Sequence, residues 1–219
     1  MKRNTYIILF VLILTVFLSN PILAKKLTLR SAGIGCRGSY WRMNDTPTEL
    51  KVVSNWDRTV VDVGGGGGWL YFLSRMNERW LAEFSLGAVG EVEVTENHFD
   101  GEDVAGSVIT PILFGARYEL FSATNTNAFK PYLNFGGGPY WFHDYRAKSD
   151  YYDEAEVTVN TKLKSGAYAG GGVNFMLTSW LGINFDMRYH FINLNVKHPR
   201  SGFEYGLGLN VMWGNFQAR

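Results

Sequence analysis

Few residues in this 219-residue chain could do chemistry, and their spacing limits what they could do. The segment RYHFIN, residues 188–193, holds a histidine and an asparagine, His190 and Asn193. A histidine works as a general base when a hydroxyl nucleophile stands within hydrogen-bond reach. In a His-x-Ser-Asn arrangement that hydroxyl would occupy position 192, and position 192 is isoleucine. His190 has nothing beside it to activate and reads as a structural side chain satisfied by its neighbours. His98, His143 and His198 are scattered, without metal-ligand spacing. The acidic run SDYYDEAE, residues 149–156, lacks the spaced oxygen ligands of a calcium loop and reads as a solvated loop. The single cysteine, Cys36, cannot close an intramolecular disulfide and reads as a small apolar filler. No catalytic centre, cofactor or metal is expected.

Five consecutive glycines in VDVGGGGGWLYFLS, residues 61–74, raise the possibility of a phosphate-cradling loop. No Gly-Lys-Ser/Thr follows them, and the next basic residue is Arg75. A flexible linker is excluded as well, because hydrophobic alternation enters and leaves the run. Glycine inside a strand marks tight curvature or the close approach of something bulky. FGGGPYWF and AGGGVNF repeat the device further along.

The elements that must carry these residues have a period of two. In WLGINFDMRYHF, residues 180–191, Leu181, Ile183, Phe185, Met187, Tyr189 and Phe191 alternate with Gly182, Asn184, Asp186, Arg188 and His190. The same pattern places strands near 28–41, 58–74, 80–94, 104–120, 130–144, 161–177, 180–196 and 202–215. Connections near 74–79, 121–129, 177–179 and 197–201 are short. Those near 42–57, 95–103 and 145–160 are longer and polar. Eight antiparallel strands with short turns at one rim and longer loops at the other fit an up-and-down transmembrane β-barrel. Trp41, Trp56, Trp69, Trp80, Trp141, Trp180 and Trp213 near strand ends would supply its interfacial girdles. Two competing readings are a transmembrane helix over 165–185, which carries no charge, and a soluble lipocalin-like ligand-binding barrel with apolar rows inside. Five glycines and apolar alternation speak against the helix. Glycine-rich polar rows suit a crowded interior better than a water-facing surface.

Residues 1–24 read as a signal peptide ahead of a barrel domain over 25–219. Lys2 and Arg3 precede the apolar run from Ile7 to Leu18, and cleavage would follow Ala24. The whole chain has net charge +1, which offers no electrostatic footprint for nucleic acid.

KPYLNFGGGPYWF (130–142) and the hairpin AYAGGGVNFMLTSWLGINFDMRYHF (167–191) resemble the eight-stranded outer membrane barrels typified by outer membrane proteins W, A and X. The resemblance covers the mature chain and is one of pattern. It implies residence in the cell outer membrane of a Gram-negative organism, among outer membrane lipids and lipopolysaccharide, after insertion by the barrel assembly machinery. It implies a non-enzymatic structural or surface role, with passage of small apolar compounds as a further possibility. The alternative is a lipid A-modifying enzyme, which would need the serine that position 192 lacks. Such barrels tend to end on an aromatic residue, whereas here Phe216 is followed by Gln217-Ala218-Arg219.

With the apolar rows toward lipid, the interior receives Arg37, Asp62, Glu83, Arg117, Glu119, Asp186, Arg188, His190 and Glu204. Charges of both signs in a confined space survive by pairing, because desolvating a lone one costs several kcal/mol. An eight-stranded barrel is just wide enough for its side chains to fill. A salt-bridge plug with Tyr132, Tyr140 and Tyr168 is therefore expected. Centring the first long loop between residues 49 and 50 puts Arg37 across from Asp62. Centring the next on residue 99 puts Glu83 across from residue 115, one same-face step from Arg117.

Overall fold

The computed structural model describes residues 31–44, 51–54, 58–97, 101–121, 128–149 and 156–214. The expected signal peptide, Trp56, His98 and most of the acidic loop at 149–156 lie outside them. The strands are β1 (Ala32–Met43), β2 (Lys51–Ser54), β3 (Arg58–Arg75), β4 (Trp80–Asn97), β5 (Gly101–Glu119), β6 (Phe129–Ser149), β7 (Glu156–Met176), β8 (Leu181–Ile192) and β9 (Gly202–Trp213). All neighbours are antiparallel, and β1 pairs with both β9 and β3, which closes the wall. Eight strands form that wall. β2 is a short addition that pairs with the start of β3. The segment 165–185, weighed above as a helix, is the tight β7–β8 hairpin.

The alternating rows explain closure. Leu70, Phe72, Phe84, Phe114, Leu133, Phe135, Phe185, Leu207 and Leu209 point outward and are exposed. Polar and glycine positions of the same strands point inward. This is the arrangement of a barrel with an apolar outer belt and a polar interior, the reverse of a lipocalin. Trp80, Trp180 and Trp213 stand at the rim of the short turns, on the outer side or partly exposed.

Five expectations are corrected. First, the inward row of β3 changes sides. Gly65 is an extra residue between Gly64 and Gly66, with φ of 83°, so β3 bulges there. A bulge places two residues against one and shifts the parity of all that follows. Beyond it Trp69, Tyr71 and Leu73 are buried, while Leu70 and Phe72 face out. Second, Trp69 consequently belongs to the interior, and Trp41 does too because it shares the inward row of Arg37 on β1, so neither stands in a girdle. Third, Cys36 stands on the outward row and is exposed, so it fills nothing. Fourth, β4 to β7 run through most of the expected loops at 95–103 and 145–160. Their 18 to 21 residues far exceed the roughly 9–11 needed to cross a membrane. The β-branched alternation of EVEV and VTVNT continues the sheet beyond the belt. Fifth, the short connection expected at 197–201 begins at residue 193, because β8 ends at Ile192.

The first register is also corrected. Arg37 pairs with Trp69 on β3 and with Gly208 on β9. Asp62 pairs along the backbone with Lys51 and Glu93, and its side chain lies outside the described set. The loop after β1 is asymmetric, because β2 folds back on β3 and lifts Asp62 above the top of β1. The second register is as expected: Glu83 faces Gly115.

Candidate functional site: the closed lumen

The interior is built in three layers. At mid-height, six charged side chains from β1, β4, β5, β8 and β9 form one chain of ion pairs. Arg117 Nη2 lies 2.9 Å from Glu83 Oε2, and Glu83 Oε1 lies 2.6 Å from Arg188 Nη2. Arg188 Nε donates to Asp186 Oδ1 at 2.8 Å. Asp186 Oδ2 is 3.3 Å from Arg37 Nη1, and Arg37 Nη2 is 3.3 Å from Glu204 Oε2. Glu204 ends the chain against His190 Nε2 at 3.0 Å. Three guanidiniums thus meet three carboxylates, all with side chains at most 2 % exposed. The planar fork of arginine suits this, since it can reach two acceptors at once.

Neutral groups complete the layer. Tyr132 donates to Asp186 Oδ2 at 2.8 Å, and Asn134 Nδ2 donates to the same carboxylate at 3.2 and 3.3 Å. The Arg117 guanidinium lies over the Tyr132 ring at 4.0 Å, and that of Arg188 over Tyr168 at 4.7 Å. Such stacking satisfies a desolvated cation through the ring quadrupole.

Above this layer, toward the longer strand ends, sits an aromatic lid around His190. Its ring lies 4.3 Å from Trp41 and 5.9 Å from each of Trp69, Tyr140 and Tyr168. Its Nδ1 shares a hydrogen bond with the Tyr140 hydroxyl at 2.9 Å. Both ring nitrogens are therefore engaged, and the histidine is fully buried. Ile192, where a serine nucleophile would stand, is buried in the same apolar cluster. Below the ion layer, Tyr71, Leu73, Leu81, Met176 and Met212 pack toward the short turns.

Glycines make room for these side chains. Tyr71 lies against Gly35, Trp69 against Gly87, Tyr132 against Gly172 and the Arg37 stem against Gly206. The interior is filled because one strand contributes a large ring where its neighbour contributes no side chain.

Of the sequence-derived interior residues, Arg37, Glu83, Arg117, Asp186, Arg188, His190 and Glu204 are brought together. Glu119 stands apart at the short-turn rim. There it accepts two hydrogen bonds from Arg75, at 3.0 and 3.2 Å, while Arg75 also holds the turn carbonyl of Glu78 at 3.1 Å. Arg75, Tyr71, Trp69 and Trp41 were not among the expected interior residues. Placing the bulge within the glycine run would have moved the first three inside, since 69, 71, 73 and 75 share one row. Among the described residues, no group of three or more His, Cys, Asp or Glu could hold a metal ion.

No family model and no curated protein matches the sequence. Solved structures do match in fold. The outer membrane protein OprG from Pseudomonas aeruginosa superposes with a TM-score of 0.54 at 12 % identity, covering 85 % of this chain and 98 % of that one. Ail, the attachment invasion locus protein of Yersinia pestis, gives 0.43 at 15 % identity over 83 % and 95 %. Neisserial surface protein A gives 0.39 at 13 % identity over 83 % and 96 %. With its closed antiparallel wall, apolar outer belt and polar filled interior, the chain has the fold of the eight-stranded outer membrane β-barrels.

Proposed function

We propose that the protein is an integral outer membrane barrel with a structural or surface role and no enzymatic activity. It would be exported behind a signal peptide at residues 1–24 and inserted among outer membrane lipids and lipopolysaccharide by the barrel assembly machinery. The observation that carries the reading is the ion chain that crosses the lumen from Arg117 to His190, capped by four rings. An ion entering from either end meets paired charges whose separation would strand a buried charge, at several kcal/mol. The long ends of β4 to β7 rise beyond the belt on the side of the longer loops, which in such barrels faces outward from the cell. A small apolar solute would meet the same seal, so its passage requires the aromatic lid to move.

Planar-bilayer recording of the refolded protein tests the closure. No steady nanosiemens-scale conductance is expected, and an open porin-like pore would overturn it. Outer membrane fractionation and heat-modifiable gel migration test the location. Mass spectra of lipid A with and without the gene test the enzymatic alternative, and an altered acyl pattern would favour it.

A further inference from the structure

Above the aromatic lid, residues of β4 to β7 and Arg200 of the 193–201 loop line an open pocket of about 350 Å³. This is at the lower end of the roughly 300–1,000 Å³ that small-molecule pockets occupy. Its lining includes Glu91, Ser107, Asp144, Arg146, Asn160 and Arg200. One step below on the same inner rows stand Val89, Ile109 and Phe142, an apolar floor that separates the cavity from the ion chain.

We propose that this cavity binds a neutral polyhydroxylated ligand, a sugar ring presented at the cell surface. Its charges are already committed. Arg200 pairs with Glu91, Asp144 lies 3.9 Å from Lys162, and Arg146 is engaged as well. A charged guest would compete with these contacts, while a neutral guest leaves them standing. The pocket nevertheless holds hydrogen-bonding capacity for a guest. Ser107 is 5 % exposed, and its hydroxyl has no hydrogen-bond partner among the described residues. Leaving that hydrogen bond unmade costs about 1–3 kcal/mol, which a guest's hydroxyl in the pocket would recover. Asn160 adds an amide with both donors and an acceptor, and the carboxylates offer two adjacent oxygens each. Adjacent hydroxyls on a sugar ring match such paired acceptors and donors.

The inference rests on the surface reading only for the side on which the mouth opens. A titration reports binding whatever a bilayer recording shows. The full barrel, refolded in detergent micelles, is titrated by calorimetry and NMR with glucose, galactose, mannose and N-acetylglucosamine. A second arm uses core oligosaccharide freed of lipid A. Glucuronate and glucosamine serve as charged analogues. Saturable binding of at least one neutral sugar or of the oligosaccharide is expected, with shifts at Ser107, Asp144 and Asn160. Binding in the first arm alone points to an environmental glycan, and in the second alone to lipopolysaccharide sugars. Ser107→Val and Asn160→Ala should each weaken it about threefold to tenfold, the loss of one hydrogen bond. Asn160 is exposed beyond the belt, so its variant keeps the test open if Ser107→Val fails to fold. The proposal is overturned if nothing in either arm saturates, if charged analogues bind more tightly, or if Asn160→Ala leaves the affinity unchanged.

Discussion

Glu83 and Arg188 are 105 residues apart in sequence, yet a carboxylate oxygen of one lies 2.6 Å from a guanidinium nitrogen of the other. They stand on β4 and β8, four strands apart around the wall, so their bridge spans the lumen. It joins the Arg117 side of the ion chain to the Asp186 side. Without it the interior would hold two separate clusters.

This bridge should show as coupling. Glu83→Leu or Arg188→Met alone should each destabilise the barrel by about 3–5 kcal/mol, because each strands a buried charge. The double variant should cost less than the sum, with a coupling energy above about 1 kcal/mol. Urea unfolding from lipid vesicles measures the cycle. Coupling within error of zero would mean that the two groups do not meet.

The bulge predicts opposite results at adjacent glycines. Gly65 has φ of 83°, and a Cβ there would run into the Trp41 carbonyl oxygen. A left-handed conformation costs an ordinary residue about 1–2 kcal/mol, before the clash is counted. Gly65→Ala should lose at least that much stability. Gly66 faces outward with nothing within 4 Å of the added atom, so Gly66→Ala should be close to neutral. Equal effects would contradict a bulge at this position.

Outward rows should reject charge. Phe185→Arg and Leu209→Arg, on β8 and β9, should cost about 2–4 kcal/mol in the lipid-embedded barrel. Leu70→Arg should do the same, although simple alternation through the glycine run would have placed Leu70 inside. If Leu70→Arg is tolerated while Phe185→Arg is not, the corrected face of β3 is wrong.

The glycine wall should resist even a methyl group where a ring lies against it. An added Cβ at Gly87 would come within 2.6 Å of the Trp69 ring. Overpacking of this kind costs about 1–3 kcal/mol. Gly87→Ala should therefore lower stability by that order, and near-ultraviolet circular dichroism should register a shifted Trp69. Pairing Gly87→Ala with Trp69→Leu should recover part of the loss, and no recovery would mean that the ring is not the obstacle.

Much of the molecule was legible as pattern. A period of two sets faces locally, because successive side chains of a strand point to opposite sides. Seven of the eight wall strands kept one parity, so Arg37, Glu83, Arg117, Asp186, Arg188, His190 and Glu204 could be placed inside from alternation alone. The second loop register was legible as well, since the pairing of Glu83 with Gly115 follows from a nearly symmetric hairpin. Residues 95–97 and 156–160 read as loop ends because they are polar, although the strands run on through them.

Residue pattern settled the class of wall: antiparallel strands, apolar outside, with charges of both signs forced inward. Which charge meets which emerged only in the folded barrel. Arg37 finds Asp186 and Glu204 on β8 and β9, and its expected partner Asp62 belongs to a different level of the wall. Alternation carries no information about the stagger between β1 and β9, which depends on how the sheet closes. Nor does it reveal a bulge, because any of five identical glycines could hold the extra residue. The one that does, Gly65, lies where the Trp41 carbonyl leaves room for no side chain. That contact exists only once β1 and β3 are paired, so the inward turn of Trp69 and Tyr71 was settled by closure of the barrel.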